Sequence, residues 1–400
     1  MWIESTIAMR FLREGRTQTM LILVGIAVGV SVIVFITALI QGLQSNIVER
    51  TLGTQAHIKV EAPDEVNRLV PLPAGTTQLV LETRRAQRLR SINNWQQVQA
   101  ALDALPGVKA VSPVVSGPAF AQRGNAVESV ALIGMDPVRY QRIIAIGDDI
   151  VAGTLRVSAS DVVIGRLLAN DLGVRVGDKF RLVAAGRREA QVNIAGIFEL
   201  GVRELDQRYV YLDLKQTQSL LNLPGGVTVI DLTVDDLFGA DAIAARIAAL
   251  TGLKAESWMQ SNAQLMNALR SQSLSTGMIS LFVAISVAFG IASVLSISVV
   301  QRTREIGILR AMGTRRDQML KLFLVQGAVL GFVGSAVGAL AGYGLVWVFN
   351  TFGPKLFYIP VAPVLVPMAM GIATLTGTLA AAVPARRAAR LDPVVAIRYA

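Results

Sequence analysis

Covalent and metal chemistry draw on a short menu of side chains, and this 400-residue chain holds little of it. Cysteine is absent, which excludes disulfides, thiolate metal sites and cysteine nucleophiles. His57 is the only histidine, so any site needing two imidazoles is excluded, common zinc sites among them. A lone histidine at the edge of a strand pattern reads as a surface or packing residue. The Walker A spacing G-x-x-x-x-G-K-[ST], whose backbone amides cradle phosphate, occurs nowhere. No carboxylate pair and no Ser/His set stands at telling spacing. The expectation is a chain that is not an enzyme, binds no metal and holds no cofactor of its own.

Two patterns do have telling spacing. The segment Gln301–Lys321 reads QRTREIGILRAMGTRRDQMLK. Ile306, Leu309 and Met312 fall at helical spacing, with Gly307 between them and Arg302, Glu305 and Arg310 around them. Gly313 can end a helix, and a second amphipathic helix can start after it. The segment reads either as a basic loop on anionic lipid or as a short helix docking into a cytosolic partner. Charge alone does not choose. The second pattern is small residues four apart, which let helix backbones approach closely: Gly25 and Gly29, then Gly327, Gly331, Gly334, Gly338 and Gly342.

The elements that must position these residues are membrane helices. Hydrophobic residues make up 52% of the chain and charged residues 16%, against about 25% charged in soluble domains. The deficit sits in four charge-free runs, 20–40, 277–300, 322–349 and 361–383. Each is long enough for the roughly 20 residues that cross a bilayer, and backbone groups in lipid must bond internally, so the runs predict four transmembrane helices. Pro363 and Pro367 place the start of the fourth helix near Val366. The first run is too long for a signal-peptide core and no A-x-A site follows it closely, so it is expected to stay as an anchor.

Orientation follows from basic residues beside the spans. Segments 1–19, 301–321 and 384–400 hold thirteen basic and five acidic residues, whereas the connecting segment 350–360 holds only Lys355. The termini and the 301–321 loop are therefore expected in the cytoplasm and residues 41–276 outside. The net charge of +10 is this topology signal rather than a nucleic-acid footprint. Ile3, Ile7 and Phe11 form an apolar stripe beside Arg10, Arg13 and Arg16, which suits an interfacial helix over 1–19 with Trp2 at the same level. No ionisable residue lies inside any span, which argues against an ion-coupled carrier.

The 41–276 segment predicts a large α+β extracytoplasmic domain inserted between helices 1 and 2, with a division into two lobes near residue 150. Strand patterns fall at 56–61, 108–115, 129–133, 180–183, 191–198, 209–212 and 227–234. Helical ones fall at 95–104, 214–221 and 240–250, and 161–173 reads as strand, turn and helix. The stretch 63–92 reads as an irregular excursion. Two flanking segments predict helical stalks: Gln41–Thr51 with Leu43 and Ile47, and Trp258–Ser275 with Trp258, Leu265 and Leu269 on one stripe.

REIGILRAMGTRRDQM at Arg304–Met319 and PARRAARLDPVVAIRYA at Pro384–Ala400 resemble the loop and tail of the MacB-like and FtsX-like ABC permeases. LGTQAHIKV, ALIGMDP, DVVIGRLLANDLGVRVGDKFRL, NIAGIFELGVRELDQRYVYLDL and SWMQSNAQLMNAL resemble the lipoprotein-releasing LolC/LolE group. The resemblance implies a multi-pass permease of the bacterial inner membrane whose large domain is periplasmic. It is paired with a second permease subunit and with a separate cytosolic ABC ATPase dimer that holds ATP and Mg. It implies mechanotransmission, in which ATP-driven closure on the cytosolic side moves the outer domain through stalk helices. Arg302, Glu305, Ile306, Gly307, Leu309, Arg310, Met312 and Gly313 are expected to couple to the ATPase, Glu305–Met312 to transmit the nucleotide state, the stalks to carry motion outward, and lipoprotein or another amphiphile to be extracted from the outer leaflet. The proline-containing hook of LolC-type subunits has no counterpart at Arg181–Val192 (RLVAAGRREAQV), so the resemblance does not carry chaperone capture to this chain. A MacB-like efflux permease for peptides or drugs, and an FtsX-like regulator of a cell-wall hydrolase, are the competing readings.

Overall fold

A computed structural model describes residues 9–10, 16–64, 89–184, 188–354 and 357–391. The interfacial helix expected around Trp2, Ile3, Ile7 and Phe11 lies outside these residues. So do most of 63–92, residues 185–187 of the turn expected at Ala185–Arg188, Lys355 and residues 392–400. In chain order the helices are α1 (Arg16–Gly53), α2 (Trp95–Asp103), α3 (Pro137–Tyr140), α4 (Arg166–Asp171), α5 (Arg203–Arg208), α6 (Leu214–Leu220), α7 (Ala240–Thr251), α8 (Trp258–Ser261), α9 (Ala263–Gln301), α10 (Thr303–Ala311), α11 (Arg316–Phe352) and α12 (Leu365–Arg390). The strands are β1 (Ile58–Glu61), β2 (Val108–Arg123), β3 (Ala126–Met135), β4 (Ile150–Gly153), β5 (Asp161–Gly165), β6 (Lys179–Ala184), β7 (Arg188–Phe198), β8 (Tyr209–Asp213), β9 (Val229–Val234) and β10 (Lys254–Ser257). The chain divides into a helical unit, Met1–Val48 with Asn267–Ala400, and an α/β unit, Glu49–Met266.

Four helices, α1, α9, α11 and α12, are long and apolar enough to cross a membrane. With 38 and 39 residues, α1 and α9 are roughly 57 Å long, nearly twice the ~30 Å hydrocarbon core. They run antiparallel. Gln18 Nε2 donates to Gln301 Oε1 at 2.8 Å near one end, and Gln44 Nε2 donates to Ser273 Oγ at 3.5 Å near the other. Residues 18 and 44 are about 39 Å apart along the helix, more than the ~30 Å core, so the two bonds cannot both lie within it, and both are exposed.

Ile22, Ile26, Val30, Val34 and Ala38 form one buried ridge on α1. The ridge needs a groove, and α11 supplies it. A Cβ at Gly334 would stand 2.8 Å from Ile26 Cβ; at Gly338, 2.5 Å from the Ala27 carbonyl oxygen; at Gly342, 2.9 Å from Val34 Cβ. Nearer its start α11 meets α12: a Cβ at Gly327 would lie 2.6 Å from the Gly377 oxygen, and at Gly331 2.9 Å from that of Ala373. Gly29 faces α9, where a Cβ would stand 2.9 Å from Val287 Cγ2, whereas Gly25 has nothing within 4 Å. Lipid is as apolar as leucine, so helices associate through such close contact rather than through exclusion of water.

The α/β unit is organised by β2, which is 16 residues long. Its first part pairs with β9, extending the row β10-β1-β9-β2; from Val114 onward it pairs with β3. The pairings β2-β3-β8-β5-β7-β6 return to β2 through β6, which closes a six-stranded ring. Closure removes exposed strand edges, and Leu132, Val162, Ile164, Leu182, Ile194 and Val210 are fully buried. The expected division near residue 150 is therefore corrected. The change from open row to ring falls inside β2, because both parts draw strands from either side of residue 150. Gly124, at φ +59°, turns the two-residue β2–β3 hairpin, a left-handed position that glycine fills without strain.

Replacing Gly338 by valine is expected to cost about 1–3 kcal/mol through overpacking, whereas Gly25→Ala is expected to change stability by less than about 0.5 kcal/mol. Thermal unfolding of both variants in the same detergent checks the pair. Equal midpoints would contradict the groove.

Candidate functional site at the helix α10 turn

α10 is separated from α9 by Arg302 alone, at φ −106°, ψ 21°. At its other end Gly313, at φ +98°, reverses the chain while its N–H donates to the Arg310 carbonyl at 3.1 Å and that of Thr314 to Leu309 at 3.2 Å. Only glycine takes that backbone conformation cheaply. The N–H of Arg315 then donates to Gln318 Oε1 at 3.0 Å and opens α11. Glu305 in the first turn and Arg310 in the last complement the helix dipole.

This turn divides the predicted residues by face. Ile306 and Gly307 are buried, and Leu309 is half-buried. They pack into a cluster of Val299, Met319, Leu322, Phe323 and the alanines 385, 388 and 389 at the end of α12. Arg310 also points inward: its Nη1 donates to the carbonyl of Leu391, at the C-terminal end of α12. Arg302 lies 3.9 Å from Glu305, an ion pair on a side chain 55% exposed, worth no more than ~1 kcal/mol. Outward lie Arg304, Glu305, Ile308, Ala311, Met312 and Gly313. Ile308 is 44% and Met312 72% exposed, one turn apart on the same face. Arg304 and Ile308 were not among the residues singled out from sequence. Ile308 had a signal, being apolar yet off the stripe of Ile306 and Leu309.

The stalk residues separate in the same way. α1 continues unbroken through Gln41–Thr51, with Leu43 exposed and Ile47 half-buried. Trp258 belongs to the core of the α/β unit: it is 1% exposed and donates from Nε1 to the Leu237 carbonyl at 2.8 Å. It lies in α8, and Asn262 breaks the chain before α9 begins at Ala263. Leu265 and Leu269 are half-buried on α9. A contact with no local signal holds the far end of α1. The Asn350 side chain bonds both backbone groups of Ile359, each at 3.0 Å. That fixes Ile359 where a Cβ on Gly42 would stand 3.0 Å from its Cα.

Residues 19–250 match the MacB-like periplasmic core domain and residues 277–393 the FtsX-like permease C-terminal domain. The chain belongs to the MacB/FtsX-like permease family. It is 26% identical to the lipoprotein-releasing system transmembrane protein LolC of Xylella fastidiosa, over 99% of each chain, and 24% identical to LolC of Neisseria meningitidis, again over 99% of each. It is 26% identical to the macrolide export ATP-binding/permease protein MacB of an Azoarcus species, over 99% of this chain and 59% of that one. It is an integral inner-membrane protein, the permease component of an ABC transporter, and such a permease operates with a partner ATPase.

The two faces of α10 give separable expectations. Ile306→Asp buries a carboxylate in the cluster around Phe323 and is expected to lower the yield of folded chain. Ile308→Ala with Met312→Ala removes only exposed apolar area. It is expected to leave the unfolding temperature within about 2 °C and to weaken co-purification of the ATPase. Unchanged co-purification would move the contact elsewhere.

Proposed function

We propose that this chain is a permease subunit of a mechanotransmitting ABC exporter that extracts lipoprotein or another amphiphile from the outer leaflet of the inner membrane. In this reading the termini and the α10 turn face the cytoplasm and the α/β unit is periplasmic. A separate ATPase dimer, holding ATP and Mg, docks on the exposed face of α10. A second permease subunit completes the transporter. The observation that supports it best is the continuity of α9. One uninterrupted helix runs from Ala263 to Gln301 and is followed after one residue by α10. A displacement of α10 is thus carried along a rod roughly 58 Å long. The full-length similarity to LolC supports lipoprotein as cargo.

The second reading is efflux of a small amphiphile, and it rests on the Azoarcus MacB similarity over 99% of this chain. Both readings use the same lever and differ in cargo. An FtsX-like regulator, which would move no cargo, has less support than either.

The lever is testable at Leu274, 72% exposed on α9, where a substitution removes little packing. Leu274→Pro breaks the helix at a cost of about 3 kcal/mol, and Leu274→Ala is its control. In nanodiscs containing the chain, its ATPase and a purified lipoprotein, the proline variant is expected to keep ATP hydrolysis and lose ATP-dependent lipoprotein release. Release at the wild-type rate would overturn the lever. Hydrolysis with no lipoprotein release by the wild type, together with extrusion of a macrolide from vesicles, would favour efflux.

A further inference from the structure

We infer that the α/β unit carries a binding site for an amphiphilic amine, in a cavity lined by Asp231, Tyr140 and Tyr209. The cavity measures about 570 Å³, and its lining comes entirely from that unit. This is the size range of small-molecule sites. The inference goes beyond the transport reading and needs neither the ATPase nor the cargo.

Asp231 carries the argument. It is 5% exposed, and its Oδ1 has no hydrogen-bond partner among the described residues. A buried carboxylate is costly unless paired. In the sheet it stands beside Lys59 of β1 and Ser112 of β2, and the Ser112 hydroxyl is buried and unpartnered too. Gln55 Nε2, on the same cavity, is a third polar atom in that condition. Two such atoms, Asp231 Oδ1 and Gln55 Nε2, stand on one cavity, with the Ser112 hydroxyl beside Asp231 in the sheet, and describe a place that receives something polar.

Charge selects the sign of the ligand. The lining holds Asp231, Glu61 and Asp64 against Lys59 and Arg90. Arg90 is engaged with Asp64 at 3.3 Å and donates to the Pro63 carbonyl at 2.7 Å. Among the described residues that leaves Asp231 and Glu61 against Lys59, an excess of one negative charge that an ammonium group would neutralise and a carboxylate would worsen. Tyr140 and Tyr209 line the cavity, and tyrosine rings attract cations. Val114, Ile133, Ile144 and Leu205 provide an apolar wall for a hydrocarbon body.

Burial pushes the Asp231 carboxyl up to about 6, with Lys59 pulling it down and Glu61 pushing it up. Tyr140 and Tyr211 face it as well, and their hydroxyls are held above the usual range by burial first. Both stay neutral across the working range, so affinity for a permanently charged amine should rise as pH increases through about 6 and level off above it.

The test uses the full chain in nanodiscs and three probes of equal length: hexylammonium, hexanol and hexanoate. Titration calorimetry at pH 8 is expected to show saturable hexylammonium binding, at least tenfold weaker binding of hexanol, and none of hexanoate. Asp231→Asn is expected to weaken hexylammonium at least tenfold. The raised carboxyl stabilises the fold below about pH 4, and that contribution is lost as pH rises through about 6. The asparagine variant should therefore unfold no lower than wild type at pH 8, which separates lost binding from lost folding. Tyr209→Leu should weaken hexylammonium while leaving hexanol unchanged. Equal binding of hexylammonium and hexanol, or equal binding by wild type and Asp231→Asn, would overturn the site.

Discussion

The helical unit depends on the close approach of α11 to its neighbours. In lipid no hydrophobic gain rewards helix association, so contact must be tight enough for dispersion to supply it. Gly327, Gly331, Gly334, Gly338 and Gly342 lie on one face of α11, within about 80° at 100° per residue. That one face serves two partners because they meet it at different levels. α12 crosses at Gly327 and Gly331 with its own small residues, Ala373, Gly377 and Ala381; α1 crosses at Gly334, Gly338 and Gly342 with a ridge of branched side chains. Small against small brings α11 and α12 together along their length, while ridge against groove fixes the level of α1.

Much of this was legible in the sequence. Charge-free runs locate membrane helices because lipid tolerates neither charge nor unpaired backbone, and the four helices stand over those runs. The helix over 41–51 expected to continue the first span is part of α1, which begins at Arg16 and runs to Gly53; only the exact ends were not marked, since a helix leaving the bilayer accepts polar residues. In the α/β unit, β6 alternates buried and exposed residues and reads as a strand. β10 is four residues with little alternation, KAES, and exists because β1 offers it an edge. The strand pattern at 108–115 covers only the first half of β2, which runs on to Arg123, with Gly117 paired with Leu132 and Pro118 with Ala131. Tertiary pairing outweighed the local signal.

The α10 turn shows how far periodicity reaches in a short helix. Nine residues and the capping Met312 allow two apolar stripes, Ile306 with Leu309 and Ile308 with Met312. Spacing alone does not say which faces in. What decides is the end of α12, whose alanines 385, 388 and 389 are small enough to let Ile306 seat against Phe323. That choice depends on residues some 80 positions away, as does the Arg310 bond to Leu391. Trp258 is the parallel case. It shares a stripe with Leu265 and Leu269 in sequence, but Asn262 breaks the helix between them and the ring turns into the core of the α/β unit.

The uneven tightness of the bundle has a mechanical consequence. In the most apolar stretch of α11, 56% of residues are buried, against 11% in that of α9. α9 touches α1 closely at Gly29, but around Gly25 and Gly290 the two helices leave an open groove. Displacing α11 would break backbone-to-backbone contacts with two helices at once. At Gly29 the α9 neighbours are the side chains of Val283 and Val287, which can shift rotamer. α9, joined to α10 through one residue, is thus held less tightly in this unit than α11. Gln18–Gln301 and Gln44–Ser273 fit this difference: each is a single exposed hydrogen bond, and replacing such a bond by water has a net cost of about 1 kcal/mol.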